Sequence, residues 1–239
     1  MSDLPADAEK SKSAKIALRS RLLTARRRLP ASALRAAAAQ LQEQICDLVR
    51  RTAPSTIAAY VPVGAEPGGA DLPAVLAAAQ ATALAAAQAT ALAAAQATAL
   101  AAALTAALTA EARVILPVLL PDGDLDWAAY EGTLDAGPRG LREPSGPRLG
   151  VDAVRSAGLV LVPALAVDTH GRRMGRGGGS YDRALSRLRP SSPTPLIVAL
   201  LHDGELVDEV PTEPHDRPVH GVITPTGGFV LNRTVEWTK

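Results

Sequence analysis

The sequence has a single cysteine, Cys46, among its 239 residues. One cysteine cannot form an internal disulfide, which excludes a disulfide-stapled secreted domain and fits a reducing compartment. Cys46 lies between Ile45 and Leu48 in a helical pattern, which favours a packing role over that of a nucleophile. The first fourteen residues are polar and lack the apolar core of a secretory signal peptide. We therefore expect a cytoplasmic protein.

The chain also lacks an excess of charge and a strongly apolar run. With 25 basic and 24 acidic residues its net charge is +1, so no broad field attracts nucleic acid or a membrane surface. The N-terminal run RSRLLTARRRL is typical of an amphipathic helix with a solvated basic face, with RNA binding as the alternative. The apolar-looking run at 74–110 is mainly alanine and too weakly hydrophobic to predict a membrane span. We expect no nucleic-acid or membrane partner, and a monomer.

Residues 76–108 contain a tandem repeat of eight residues, AAAQATAL. Alanine is the best helix former, so the repeat predicts a helix. Eight residues at ~100° each overshoot two turns by about 80°, so the repeated leucines spiral around this helix instead of forming a coiled-coil seam. We interpret the repeat as an expanded helical insertion without a site of its own. A partner-binding arm is the alternative.

The rest of the chain predicts a single α/β domain over 15–239, after a flexible leader at 1–14. Apolar runs that predict strands alternate with helical patterns, which is typical of a mainly parallel central sheet with helices on both faces. Ligands of such sheets bind at the carboxyl ends of the strands. The expected strands lie near 56–63, 112–120, 125–132, 158–167, 195–202 and 221–224.

The most informative segment is DTHGRRMGRGGGSYDR (Asp168–Arg183), between an expected strand and a short expected helix. Five glycines and three arginines fall within residues 171–179. Glycines let backbone N–H groups approach an anion, and arginines fork onto phosphate oxygens, so this pattern predicts a phosphate-binding loop. A plain surface turn is the alternative. Gly178 is expected to need a positive φ. The spacing matches neither the P-loop nor the dinucleotide fingerprint.

This segment resembles the signature of the 5-formyltetrahydrofolate cyclo-ligase family, D-x-x-G-x-R-L-G-x-G-x-G-Y-Y-D. Met174 replaces the signature's leucine, and Ser180 replaces its first tyrosine, which removes a ring from the loop wall. The matching residues are Asp168, Gly171, Arg173, Gly175, Gly177, Gly179, Tyr181 and Asp182.

Four shorter stretches between Lys15 and Thr224 extend the resemblance. They are K-x-x-L-R at Lys15–Arg19, Glu66 after the first strand, GLREP at Gly140–Pro144, and VPTEPHDRPVHGVITP around Asp216. Glu143 of GLREP is given no firm role, and fixing its loop is an equal interpretation. His215 and His220 flank Asp216, but one nearby carboxylate and no cysteine make a zinc site a poor interpretation.

The resemblance implies an enzyme that uses ATP and Mg²⁺ to convert 5-formyltetrahydrofolate, with or without a polyglutamate tail, into 5,10-methenyltetrahydrofolate. It implies metal binding by Asp182 and Asp216, and folate binding by Val61, Glu66 and Tyr181. Arg173 and Arg176 are the expected catalytic cations. The residues expected to bind ATP are Lys15, Arg19, Arg173, Gly175, Arg176, Gly177, Gly178, Gly179, Ser180 and Tyr181.

The sequence has no visible Ser–His–Asp set, catalytic cysteine or redox motif. Catalysis by positioning and charge is therefore the expectation. The alternative is a protein of the same fold that binds nucleotide or folate without turning it over. Ser180 and the expanded repeat keep that alternative open.

Overall fold

The computed structural model describes residues 4–95, 113–188, 194–213 and 216–232. Its centre is a seven-stranded sheet with the strand order β12-β11-β9-β6-β1-β2-β3. The five strands from β11 to β2 are parallel, and β12 and β3 pair antiparallel at the two edges. The strands are β1 (Thr56–Ala58), β2 (Arg113–Leu119), β3 (Leu125–Ala129), β6 (Leu159–Pro163), β9 (Leu196–Leu200), β11 (Gly221–Thr224) and β12 (Gly228–Leu231).

Two small sheets accompany the central one. β4 (Leu134–Ala136) and β5 (Arg142–Pro144) form a hairpin, and β7 (Ala166–Asp168) pairs with β8 (Arg173–Met174) and with β10 (Leu206–Val207). The α-helices are α1 (Leu4–Arg27), α2 (Ala31–Thr52), α3 (Leu72–Ala95) and α4 (Ser180–Ser186). A 3₁₀ turn at Val151–Ser156 precedes β6.

Both faces of the central sheet are covered. Side chains alternate along each parallel strand, so Ile57 of β1 packs with one cluster and Ala58 with the other. The first cluster contains Ile45 of α2 and Leu76 of α3, and the second contains Leu185 of α4. The prediction of a single α/β domain with a mainly parallel sheet and helices on both faces is therefore confirmed.

Residues 4–14 of the predicted flexible leader at 1–14 form the start of α1 in the structure. The Ser11 hydroxyl donates to the Thr212 carbonyl at 3.3 Å, and Lys12 lines the cavity at the carboxyl ends of the strands. Residues 11 and 12 therefore contact the rest of the domain, and the boundary of the leader stays a prediction.

Two strand predictions also need correction. The run at 158–167 is not one strand, because β6 ends at Pro163, which has no N–H to continue the ladder. The chain then re-forms as β7 in a separate sheet. β12 was not predicted, and a turn at Thr224–Gly228 folds it back onto β11 as an edge strand.

The start of the alanine-rich repeat packs into the core. Leu76, Ala83 and Leu84 are buried, and Gln80 is 4% exposed. The predicted insertion at about 76–108 stays a prediction, and residues 96–108 of the repeat lie outside the described part. By length and composition alone the stretch Leu72–Thr90 could span a membrane, but a third of it is buried within the protein, and core helices of soluble proteins pass the same test.

Gln80 attaches the first repeat unit to the sheet. Its side-chain amide donates to the carbonyl groups of Ser55 at 2.8 Å and Pro54 at 3.0 Å, at the start of β1, and lies 3.4 Å from the Arg113 carbonyl. Gln88 occupies the same place in the next unit and is only half-buried. The same local sequence therefore lies in a buried environment at Gln80 and in a half-buried one at Gln88.

We expect Gln80→Ala to lower the free energy of unfolding by about 2 kcal/mol, because buried carbonyl groups lose their donor. Gln88→Ala, in the same AAAQATAL context, is expected to change it by less than about 0.5 kcal/mol. Urea unfolding of both variants, followed by circular dichroism, measures the difference. Equal destabilisation by the two substitutions would show that helix propensity, and not attachment to the sheet, governs the repeat.

Candidate functional site

A cavity of about 1150 Å³ opens at the carboxyl ends of the parallel strands. Val61 follows β1 at its floor, Leu119 ends β2 and Pro163 ends β6, so the site lies where this topology predicts. Ten basic and four acidic side chains line it, which favours an anionic ligand. They are Lys12, Lys15, Arg19, Arg26, Arg139, Arg142, Arg173, Arg176, Arg183 and Arg217, with Glu66, Asp182, Glu213 and Asp216.

Lys15 and Arg19 lie one turn apart on α1 and both line the cavity, as expected from their spacing. Lys15 is 6% exposed, and its ammonium donates to Asp216 at 2.5 Å and to Glu213 at 2.8 Å. Burial alone would lower the pKa of Lys15, but these hydrogen bonds outweigh burial and raise the pKa above its ordinary value. The Lys15 charge is therefore neutralised within the site.

Arg19 contacts the glycine-rich loop directly. Its Nε donates to the Gly175 carbonyl at 3.2 Å, and a Cβ added to Gly177 would lie 3.3 Å from the Arg19 Cζ. Gly177 has φ +103° and Gly179 has φ +69°, whereas Gly178, where a positive φ was expected, does not lie in the left-handed region. The need for glycine is therefore at positions 177 and 179.

Part of the signature holds the loop in place. The buried carboxylate of Asp168 accepts hydrogen bonds from the backbone N–H groups of His170, Arg172 and Val210 at 2.9–3.1 Å. Gly171 has φ +78° in the same turn. These contacts fix the β7–β8 turn, and the segment from Arg173 to Asp182 forms one wall of the cavity.

Arg173 is 4% exposed and joins β8 to α4 and to the end of β6. Its guanidinium donates to Asp182 at 2.7 Å and to the Pro163 carbonyl at 3.1 Å. Its Nε has no partner among the described residues. Arg173 is thus a structural ion pair partner as well as a cavity-lining cation.

Asp182 and Asp216 both line the cavity, and Asp182 contacts the residue that follows Asp216. The N–H of Arg217 donates to Asp182 Oδ1 at 3.3 Å, and the N–H of Glu213 donates to Asp216 Oδ2 at 2.7 Å. Mg²⁺ takes one or two carboxylates and completes its shell with phosphate oxygens and water, which this pair fits. No group of three metal-ligating side chains occurs in the described ranges, so a closed all-protein metal cage is not formed there.

Two of the expected folate residues, Val61 and Glu66, follow β1, and the third, Tyr181, lies in α4. Val61 is buried in the cavity floor. Glu66 Oε2 accepts from the Val63 N–H at 2.9 Å, and Oε1 accepts from Arg176 at 3.0 Å. Burial, and secondly the charge of Glu66, raise the pKa of Tyr181, so its phenol stays protonated. The residues assigned to folate and to ATP therefore meet at the Glu66–Arg176 pair.

Ser180, the departure from the family signature, links the loop to the β2–β3 turn. Its hydroxyl donates to the Gly123 carbonyl at 2.5 Å. Arg183 donates to the same carbonyl at 2.5 Å. Ser180 therefore lacks the aromatic ring of the family tyrosine, but its hydroxyl forms a hydrogen bond that connects two walls of the cavity.

Four arginines that line the cavity were not predicted as site residues, although three of them lie in the quoted motifs. They are Arg139, Arg142, Arg183 and Arg217. Glu143 has the loop-fixing place that its alternative interpretation suggested, since Oε1 accepts from the Leu119 N–H at 2.9 Å. His202 contacts the Ala65 carbonyl at 2.9 Å, and burial lowers the pKa of His220. His215 lies outside the described residues. Trp127 is buried packing, as expected.

The chain is similar to known proteins over most of its length. The model of the 5-formyltetrahydrofolate cyclo-ligase family matches residues 81–225. The chain is 36% identical over 222 residues to the 5-formyltetrahydrofolate cyclo-ligase of Mycolicibacterium smegmatis, covering 90% of this chain and 96% of that protein. It is 34% identical over 121 residues to the Escherichia coli enzyme of the same name, covering 49% of this chain and 65% of that one.

Two solved structures share the fold. They are the 5,10-methenyltetrahydrofolate synthetases of Aquifex aeolicus, with a TM-score of 0.59 and 21% identity, and of Mycoplasma pneumoniae, with a TM-score of 0.59 and 15% identity. The first comparison covers 94% of this chain and 96% of the other, and the second covers 87% and 96%. The near-complete coverage of the Mycolicibacterium relative, together with the family match, leads to one conclusion: this chain belongs to the 5-formyltetrahydrofolate cyclo-ligase family.

Proposed function

We propose that this protein converts 5-formyltetrahydrofolate into 5,10-methenyltetrahydrofolate, using ATP and Mg²⁺ and releasing ADP and phosphate. The observation that carries the proposal is that residues suited to a triphosphate and a residue suited to a reduced pteridine line the same cavity. The glycine-rich loop and the α1 cations suit a triphosphate, and Glu66 at the end of β1 suits the N–H groups of a reduced pteridine.

The nucleotide would lie along the loop from Arg173 to Tyr181. Arg19 crosses this loop at Gly175 and Gly177, and Arg176 is exposed enough to turn from Glu66 to a phosphate, since 58% of its side chain is accessible. Lys15 would add charge once a ligand competes for Asp216. The remaining contacts would come from Gly178, Gly179 and Ser180, which line the same wall.

Asp182 and Asp216 would hold Mg²⁺ together with phosphate oxygens. When bound, the ion would neutralise charge on the transferring phosphoryl group. Asp216 is paired with Lys15 in this structure, so metal binding requires that this ion pair rearrange. Arg173 holds Asp182 in place from the side away from bulk water, because its guanidinium is buried.

The chemistry needs no protein nucleophile. The formyl oxygen attacks the γ-phosphorus of ATP, a new O–P bond forms, and ADP leaves. The folate's N10 then attacks the activated formyl carbon and loses its proton, and the C–O bond breaks to release phosphate. Arg173, Arg176 and Arg19 would stabilise the charge on the phosphoryl oxygens, which is the main catalytic requirement of such transfers.

The test is to mix the protein with 5-formyltetrahydrofolate and MgATP and to follow the absorbance band of the methenyl product. We expect product formation that requires folate, ATP and Mg²⁺ together, with one ADP formed per methenyl group. Binding of folate and ATP in equilibrium dialysis without turnover would instead identify a non-catalytic binding protein. Absence of both binding and turnover would refute the proposed function.

A further inference from the structure

The hairpin formed by β4 and β5 places two arginines, Arg139 and Arg142, on the cavity wall. Both side chains are exposed, and neither has an ion pair or hydrogen bond among the described residues. Most of the other cavity cations are engaged. Lys15 and Arg26 are paired with carboxylates, as is Arg173. The two guanidinium groups of the hairpin therefore have no ion-pair partner in the described part of the chain.

The backbone of the hairpin is held in an uncommon conformation. Arg139 has φ 57° and ψ 26°, and Ala53 is the only other non-glycine residue with a positive φ in the described part of the chain. A left-handed arginine is strained, and such strain persists only where the surroundings impose it. Gly137 permits the close approach of Glu143, because a Cβ added there would lie 2.7 Å from the Glu143 side chain.

Glu143 also anchors the hairpin to the central sheet. Its Oε1 accepts a hydrogen bond from the Leu119 N–H at the end of β2, and Pro144 is buried. The two arginines are thus carried by an ordered element fixed beside β2. A free surface loop would not be held in this way at both its turn and its strand.

The position of the hairpin separates it from Arg173, the proposed phosphate residue held at the end of β6. β6 leads into the loop that contains Arg173, β1 leads to Glu66, and β2 is the strand that holds the hairpin. Because β1 lies between β6 and β2, the hairpin is displaced from the β6 side by two strand spacings, roughly 10 Å. A ligand centred at Glu66 can therefore extend in two directions, toward the phosphates and toward the hairpin.

We propose that Arg139 and Arg142 bind the α- and γ-carboxylates of the glutamyl group of the folate substrate. The inference rests on the proposed function, which places the pteridine at Glu66. A folate has its carboxylates at the end opposite the pteridine, and arginine pairs with carboxylates through two parallel hydrogen bonds. With the phosphates on the β6 side, the hairpin is the basic surface left for that end of the substrate.

The experiment compares two substrates, 5-formyltetrahydrofolate and 5-formyltetrahydropteroate, which lacks the glutamate. For the unmodified protein, removal of the glutamate is expected to lower kcat/KM about ten- to hundredfold. For the double variant Arg139→Gln and Arg142→Gln, kcat/KM for 5-formyltetrahydrofolate should fall to the value for the truncated substrate. The kcat/KM for the truncated substrate should not change. The KM for ATP should not change.

Arg148→Gln provides the matched control, since Arg148 is an exposed arginine six residues after Arg142 that does not line the cavity. It should retain full discrimination between the two substrates. The single Arg142→Gln variant, at a position with ordinary backbone, repeats the comparison if the double variant does not fold, and should lose part of the discrimination.

The outcomes distinguish a failure of the proposed function from a failure of the proposed carboxylate site. If the unmodified protein turns over neither substrate, the proposed function itself is wrong. If the unmodified protein turns over both substrates, either of two results for the hairpin variants would refute the carboxylate site. One is an equal loss of kcat/KM for the two substrates, and the other is the same discrimination between them as in the unmodified protein. A selective rise in the KM for ATP would assign the hairpin to the nucleotide and would also overturn the inference.

Discussion

Arg173→Ala is expected to lower the free energy of unfolding by about 3 kcal/mol and the turnover by about a hundredfold. The loss of stability follows from the ion pair with Asp182, whose side chain is 18% exposed and would lose its partner. The Pro163 carbonyl would lose a donor at the same time. The loss of turnover follows from the proposed role of Arg173 beside the phosphates. Chemical unfolding and steady-state kinetics with saturating folate measure the two effects.

Arg172→Ala is the matched control for this substitution. Arg172 is the preceding residue in the chain, its side chain is 43% exposed, and its contacts to Asp168 and Glu209 are both 3.9 Å long. Exposed ion pairs of this kind contribute less than about 1 kcal/mol. If Arg173→Ala were no more harmful than Arg172→Ala, neither the structural nor the catalytic assignment of Arg173 would stand.

Arg173→Lys separates the two roles of Arg173. Lysine keeps the charge, but its single ammonium cannot reproduce a planar fork that reaches both Asp182 and the Pro163 carbonyl. We expect this variant to recover more stability than turnover. A variant that recovers both equally would indicate that Arg173 acts on catalysis only through folding.

The burial of Arg173 illustrates what could be predicted from the sequence. The signature identifies Arg173 as a phosphate candidate, and by sequence alone its removal would be expected to spare stability. The structure changes that expectation because Asp182, nine residues later, folds back onto it through α4. Motif spacing indicates which chemistry a side chain offers, whereas its burial depends on the partners that the tertiary fold brings to it.

The difference between local sequence signals and tertiary contacts also explains which other features could be predicted from the sequence and which could not. Strands with continuous apolar runs, such as β2 and β9, have a local signal and were predicted close to their observed positions. Lys15 was predicted to bind ATP from α1, whereas in the structure its ammonium is paired with Glu213, which is 198 residues away in the chain. The cavity position of Arg139 likewise depends on Glu143 reaching β2, a contact that no local pattern encodes.

Gly177→Val is expected to lower kcat/KM for ATP by about ten- to hundredfold, with folate binding in the absence of nucleotide unchanged. A β-branched residue at φ +103° is strained by about 1–3 kcal/mol. The new Cβ would also lie 3.3 Å from the Arg19 Cζ, so that the guanidinium, which donates to the Gly175 carbonyl, must shift to admit the larger side chain. A displacement of Arg19 removes a cation from the proposed phosphate site, and each 1.4 kcal/mol lost corresponds to about a factor of ten.

Gly150→Val separates backbone strain from damage to the site. Gly150 has φ +88°, has no atom within 4 Å of an added Cβ, and does not line the cavity. Strain alone should therefore lower the melting temperature of this variant while its ATP kinetics stay unchanged. If Gly150→Val reduced kcat/KM for ATP as much as Gly177→Val, the effect would come from general destabilisation. If Gly177→Val left ATP kinetics intact, the glycine-rich loop would not be the nucleotide site, because its contact with Arg19 could be broken without consequence.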